Sequence, residues 1–213
     1  MSLEGRMTGN PTDRFLHGSA LRAGLVEGLA ERSDAAAPAT ADDERAQAAV
    51  ALTVVRGDDG CAELLVIMRA ASLRRHASQF GLPGGRIEPG ERIAATARRE
   101  LAEELGVAVP AEDVLGGLPA VESISGFRIA PVVLWVEDPI EPVPDPVEVQ
   151  DWYRLPLAQL ARARVHPLGG GLPVLGTVIF APTGAILQSF RDLLLPTGPP
   201  QEGELAEPPF TQR

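Results

Sequence analysis

Lysine is absent from this chain: all basic residues are arginine, 19 against 29 acidic ones, giving a formal charge of −10 and an isoelectric point near 4.8. A surface of that sign repels a phosphate backbone, so long nucleic acid is not an expected partner unless the arginines gather on one face. A small anionic molecule stays open, given local positive charge. Cysteine occurs once, at Cys61, which rules out an internal disulfide and a cysteine-rich zinc site; this fits a reducing cytoplasm, with a buried thiol as the expected state. Aromatic residues are only 4% of the chain, so aliphatic side chains and alanine must fill the interior. The opening MSLEGRMTGN lacks the apolar stretch of a signal peptide and reads as a cloning scar at its start, so export is not expected. The uncharged run 169–190 is broken by Pro173, Pro182 and several glycines, which argues against a membrane span. A cytoplasmic protein without a membrane partner is expected.

What is present suits one globular core with additions at its ends. Residues 1–46 are expected to hold an N-terminal helix and a flexible linker, 47–195 the main domain, and 196–213 a disordered tail. The first helix is predicted over 20–32, with Leu21, Leu25, Val26 and Leu29 at helical spacing, and SDAAAPATADDE after it has a linker's composition. Apolar runs over 48–56 and 62–69 flank Gly57, Asp58, Asp59 and Gly60, the pattern of a hairpin. Further strands are predicted over 114–122 and 128–137, and helices over 157–163 and 183–194. DPIEPVPDP, 138–146, is too rich in proline for helix or central strand and is predicted to be a loop. No internal repeat is visible, and strands interspersed with helices predict an α/β fold, a mixed sheet flanked by helices.

The chemistry gathers in GGRIEPGERIAATARRELAEELGV, residues 84–107. Over 91–105, Ile93, Ala97, Leu101 and Leu105 recur every four residues, forming one apolar stripe. At about 100° per residue, Glu100, Glu103 and Glu104 fall in an arc roughly 100° wide beside that stripe. Three carboxylates together suit a hard cation. A merely solvated acidic face fits less well, because Glu103 and Glu104 stand in the last turn before Gly106, where the helix dipole opposes negative charge. Their mutual repulsion adds roughly 0.2–0.5 kcal/mol per pair, and a bound cation reverses the sign of both effects. Upstream, Pro83, Gly84 and Gly85 form a turn whose main chain can approach a ligand, and a carbonyl there offers one more oxygen. Glu91 and Arg99 are placed to pin this loop to the helix through a bidentate ion pair.

Residues 85–107 satisfy every position of G-x5-E-x7-R-E-U-x-E-E-x-G-U, where U is aliphatic, and on this pattern the chain resembles the Nudix hydrolases. Seven fixed residues at roughly 7% usage make a chance match rarer than about one in 10^5. The resemblance implies a Nudix α/β/α sandwich and Mg2+ or Mn2+ held by Glu100, Glu103 and Glu104 with help from the Gly84 carbonyl. It further implies attack of water on phosphorus in a phosphoanhydride. Catalytic work falls to Glu100, Glu103, Glu104 and Glu148, with Glu148 and Glu100 as candidates for the general base and Glu137 behind them.

The upstream stretch LLVIMRAASLRRHASQFGLPGG, 64–85, is similar to the motif of coenzyme A pyrophosphatases, which from its arginine onward runs approximately RSxxLRxHxGQxxFPGG. Arg69, Leu73, Arg74, His76, Gln79, Pro83, Gly84 and Gly85 match, whereas Ala70, Ser78 and Leu82 replace the serine, glycine and phenylalanine. SGFRIAPVV and EVQDWYRLPLAQL downstream are similar to the same subfamily, so the likeness covers roughly 48–160. It implies a small-molecule diphosphate, coenzyme A or a derivative, bound by Arg69, Arg74, His76, Gln79 and Arg86, with a homodimer admissible. His76 is read as a hydrogen-bonding anchor, without a proton-transfer role. A Nudix hydrolase of ADP-ribose, nucleotide sugars or damaged nucleotides is the alternative. Against it, Glu122 stands where a proline is expected and Tyr153 is the only tyrosine. A ligand-sensing module without turnover is the non-enzymatic alternative, and the intact box speaks against it.

Overall fold

In a computed structural model the described residues are 15–35, 45–73, 77–123, 126–165 and 171–195. The linker and C-terminal tail expected from composition lie mostly outside them, as do Arg74 and His76.

The two apolar runs become β1 (Ala48–Arg56) and β2 (Ala62–Arg69), joined by the expected turn, in which Gly57 N donates to Cys61 O at 2.7 Å and Gly60 takes φ +80°. Their uninterrupted hydrophobicity follows from burial on both sides: Leu52, Val54, Leu64 and Val66 enter one core cluster, while Ala49, Ala51, Val55, Leu65 and Ile67 enter the other. β7 (Arg128–Trp135) runs parallel to β1 along its length, and β5 (Val114–Gly117) lies beyond it in a mixed, eight-stranded sheet. The other members are β3 (Phe80–Gly81), β4 (Gly84–Arg86), β6 (Val121–Glu122) and β8 (Val149–Pro156).

The register shows how the sheet makes room for a site. β1 pairs with β2 only over 54–56, then with β4 over 48–50, while β3 pairs with β2 at Ile67 and Met68. β1 and β2 therefore fork, and the segment Phe80–Arg86 fills the fork, fastened by Ala51 N to Pro83 O at 2.8 Å.

Helix α2 (Ile93–Leu105) lies on one face, burying Ile93, Ala97, Leu101 and Leu105 as the stripe predicts. It ends at Gly106, whose φ of +67° is the left-handed C-terminal cap anticipated from the sequence. The other face is covered by α1 (Ser19–Ala35), α3 (Leu157–Arg162) and α4 (Thr183–Leu194), with Trp135 and Phe190 as its largest fully buried side chains. Phe15, Leu25 and Leu29 of the N-terminal part are buried in that same layer, whereas Val26, placed on the apolar face by spacing, is 43% exposed. The three layers are the α/β/α sandwich expected.

Three expectations need correction. The strand expected over 114–122 divides into β5 and β6, because Gly116 has φ +154° and the register against β7 shifts there. β7 stops at Trp135, short of Glu137. β8 is not among the strands predicted, because Gln150, Asp151 and Arg154 interrupt its apolar pattern; it pairs with β2. The uncharged run 169–190 holds the small hairpin β9 (Leu172–Val174) and β10 (Thr177–Ile179), then α4; no helix among the described residues is long and apolar enough to cross a membrane.

Candidate metal and phosphate site

Small residues bring α2 close to the sheet: Ala49, Ala51, Ala97 and Ala130 meet at that layer with at most 1% exposure each. Close approach lets the carboxylates of α2 reach the turn in the fork. A Cβ on Gly84 would collide with Ala49 O and stand 2.6 Å from Val50 Cγ1, and one on Gly85 would land on the Glu100 carboxylate. Glycine at Gly84 is thus a steric requirement of the packing, while at Gly85 a side chain would displace the Glu100 carboxylate.

Arg99 organises the acidic group. Its Nε and Nη2 donate to the two carboxylate oxygens of Glu91 at 2.9 and 3.1 Å, the bidentate pair expected from the sequence. Its Nη1 reaches Glu100 Oε1 at 2.9 Å and Glu103 Oε2 at 2.8 Å, and Nη2 reaches Arg86 O at 3.2 Å. Glu91 also accepts from Thr96 Oγ1 at 2.7 Å and Glu88 N at 3.2 Å. The Arg99 guanidinium, with these further donors, holds the Glu91 carboxyl down at about 2. Thr96, fully buried, was not singled out in the sequence; its place five residues after Glu91 is the only signal it gives.

Glu104 is the opposite case. It is 2% exposed, Oε2 accepts from Gly84 N at 3.2 Å, and Oε1 has no hydrogen-bond partner, with Arg69 Nη1 3.7 Å away. Burial, with the charges of Glu100 and Glu148 adding to it, pushes its carboxyl up to about 8 against the opposing pull of Arg69 and the Gly84 N–H. Glu100 is raised by burial in the same direction, opposed by Arg99 and reinforced by Glu103 and Glu148. Glu148, exposed at the end of the proline-rich loop, is therefore near enough for its charge to act on both.

Among the described residues no three His, Cys, Asp or Glu side chains are gathered tightly enough to chelate a cation as they stand. Arg99 accounts for this by drawing Glu100 and Glu103 to itself, while Glu104 turns toward Gly84. The donor set nonetheless suits a hard cation: a buried carboxylate with an orphaned oxygen, two more carboxylates on the same helix edge, and the Gly84 main chain beside them.

The phosphate-binding candidates fall around this group unevenly. Arg69 lies against Glu104, with Nε buried and lacking a hydrogen-bond partner. Arg86 is exposed, its guanidinium 5.0 Å from the centre of the Phe127 ring. Gln79 O accepts from Arg69 N at 3.0 Å, and Arg69 O accepts from Ser78 N at 3.1 Å. Ser78, where the motif has glycine, adopts φ +55°, so the position still demands the conformation glycine favours. Glu137 is not brought to the site. Its Oε2 accepts from Trp135 Nε1 at 2.7 Å, and Trp135 stacks on His17 and is buried in the layer opposite α2.

An α/β/α sandwich with a complete box on its isolated helix defines a class, and comparison with known proteins gives the family. The NUDIX domain model matches residues 45–171, and the chain belongs to that family. It is 40% identical over 124 residues to "Uncharacterized Nudix hydrolase NudL" of Cronobacter sakazakii, covering 57% of this chain and 64% of that protein. The protein of the same name from Citrobacter koseri is 36% identical over 126 residues, covering 58% and 65%. The chain thus spans just under two thirds of the length of these relatives. A MutT/nudix family protein from Enterococcus faecalis shares the fold, with a TM-score of 0.51, 16% identity, and coverage of 70% of this chain and 62% of that one.

Proposed function

We propose that this chain hydrolyses a phosphoanhydride bond in a nucleoside diphosphate derivative, with coenzyme A or a coenzyme A derivative as the substrate. The observation that carries the reading is Glu104, a buried carboxylate with an orphaned oxygen beside Glu100 and the Gly84 turn, in a chain whose box is complete. Glu100, Glu103, Glu104 and the Gly84 carbonyl would hold Mg2+ or Mn2+. Such an ion, when bound, neutralises the diphosphate and makes a water acidic enough to attack phosphorus. Arg99 holds Glu100 and Glu103 on one edge of α2, and Glu91 holds Arg99. Glu148, an exposed carboxylate whose charge acts on Glu104, takes the proton of the attacking water; Glu100 is the second candidate. Arg69, Arg74, His76, Gln79 and Arg86 bind the phosphates, the arginines giving this acidic protein a local source of positive charge.

The products expected from coenzyme A are 3',5'-ADP and 4'-phosphopantetheine. A screen of coenzyme A, acyl-coenzyme A, ADP-ribose and nucleotide sugars with Mg2+ and Mn2+, read by mass, tests the assignment. Dephospho-coenzyme A should be the poorer substrate by more than about tenfold in kcat/KM, because one charge-assisted contact is lost. Equal efficiency means that the 3'-phosphate is not read. Cleavage of ADP-ribose but not coenzyme A removes the substrate assignment and leaves the hydrolase chemistry standing. Glu148→Gln should lower kcat while leaving Mn2+ affinity unchanged; no effect on kcat would move the base elsewhere.

A further inference from the structure

The segment between β7 and β8 is fastened on two sides. Val143 N donates to Leu105 O at 2.8 Å and Asp145 N to Glu104 O at 2.9 Å, so this segment satisfies carbonyls that α2 leaves unpaired at its C-terminal end. Gly106 turns the chain there at φ +67°, a conformation that glycine favours. On the other side, Asp145 O accepts from Glu148 N at 3.1 Å and Val149 N at 2.8 Å, and Asp145 Oδ1 accepts from Val147 N at 2.9 Å. Glu148 O in turn accepts from Ala70 N at 2.9 Å, next to Arg69. Farther back, Arg154 Nη2 donates to Ile140 O at 2.7 Å, and Pro139, Pro142, Pro144 and Pro146 stiffen the run between. Among the described residues, Asp145 is bonded to the backbone of both Glu104 and Glu148.

We infer that Asp145 is a positioning residue that sets Glu148 against the metal-carrying end of α2. Its main chain spans the two glutamates, and its carboxylate closes the turn that keeps Glu148 in place. The inference rests on the proposed roles of Glu104 and Glu148. The turn requires an acceptor oxygen rather than a charge, because the bond is to a neutral backbone N–H. Asparagine therefore supplies what the site needs, and alanine does not. A base displaced by about 1 Å loses on the order of 100-fold in rate, which sets the upper scale of the effect.

The test is a double-mutant cycle on the full chain, using the diphosphate that the substrate screen identifies, with Mn2+ binding measured separately on the protein alone. Asp145→Ala should lower kcat by about 10- to 100-fold with KM changed less than about threefold, and Asp145→Asn should recover most of that loss. Mn2+ affinity should stay within about threefold in both, since the Asp145 N–H to Glu104 O bond does not use the side chain. In the Glu148→Gln background, Asp145→Ala should cost less than about threefold more, there being no carboxylate left to place. Should the alanine variant not fold, Asp145→Ser, a weaker acceptor, is compared with Asp145→Asn in the same cycle. Equal losses in the two backgrounds, or asparagine failing as alanine does, overturn the role of Asp145 and leave Glu148 as base. A Glu148→Gln variant with unchanged kcat removes the base assignment and this inference with it.

Discussion

The two faces of the central sheet are packed differently. Toward α1, α3 and α4 the sheet presents Leu52, Val54, Leu64, Val66 and Trp135, and the helices answer with Leu157, Leu160, Leu187 and Phe190. Toward α2 it presents Leu65, Ile67, Val132 and Leu134 as well, but also Ala49, Ala51 and Ala130, which cluster with Ala97, and a buried Glu104 stands on the helix above. Large apolar side chains hold layers apart and bury much surface; small ones let a helix come close enough for its carboxylates to meet a backbone turn. One face is thus built for stability alone, and the other combines a core with the placement of charge.

Substitutions on the two faces should therefore have different signatures. Phe190→Ala should cost about 3–5 kcal/mol in denaturant unfolding while the folded fraction keeps its kcat, the mark of a cavity remote from the site. Ala97→Leu overpacks the thin layer and should cost about 1–3 kcal/mol. Unlike Phe190→Ala, it should also lower kcat by about tenfold or more, because α2 must move outward with its glutamates. If the two variants show the same separation of stability and turnover, the contrast between the faces is wrong.

His17 brings a titratable group to the stability face. It stacks on Trp135 with ring centres 4.0 Å apart, and burial lowers its pKa below the ordinary 6.5; Glu137 and a hydrogen bond to the Val136 backbone oppose the shift, and Arg56 adds to it. The unfolded chain then binds the proton more readily than the folded one, so this contribution to stability is present above pH 6.5 and falls away as pH drops through the window below it. Thermal unfolding scanned from pH 7.5 to 5 should show this loss, and His17→Phe should flatten that part of the profile. The smallest effect expected is at Ser78, where φ +55° strains any residue with a side chain. Ser78→Gly should raise stability by up to about 1 kcal/mol without altering kcat, since relief of the strain is partly offset by glycine's greater chain entropy.

Legibility in the sequence followed from how local each signal is. The box was readable because its residues lie on one helix and one adjoining turn, so spacing alone fixes their relation, including the Glu91–Arg99 pair. β1, β2, α2 and α4 were readable because each buries a regular apolar pattern. β8 was not, because only Val149 and Leu155 of this strand are buried and polar residues interrupt its pattern, and neither was the fork of β1 and β2, which exists only in the register. Glu137, the third candidate for the general base, instead accepts from Trp135, which is buried opposite α2, and the period of two along the chain carries it to that side. Asp145 gave no signal of its own within a proline-rich loop, since its importance lies in main-chain bonds to distant residues.

The proposed role of buried Glu104 is to hold a divalent cation against a diphosphate, and one substitution separates that role from packing. Glu104→Gln keeps the shape of the side chain and removes the charge, so with Mg2+ it should lower turnover at least about 100-fold while the thermal midpoint of the metal-free protein does not fall. Glu103→Gln should lose turnover by a similar factor, from a far more exposed position. Near wild-type turnover of Glu104→Gln with Mg2+, on a substrate that the unaltered chain hydrolyses, would contradict the account.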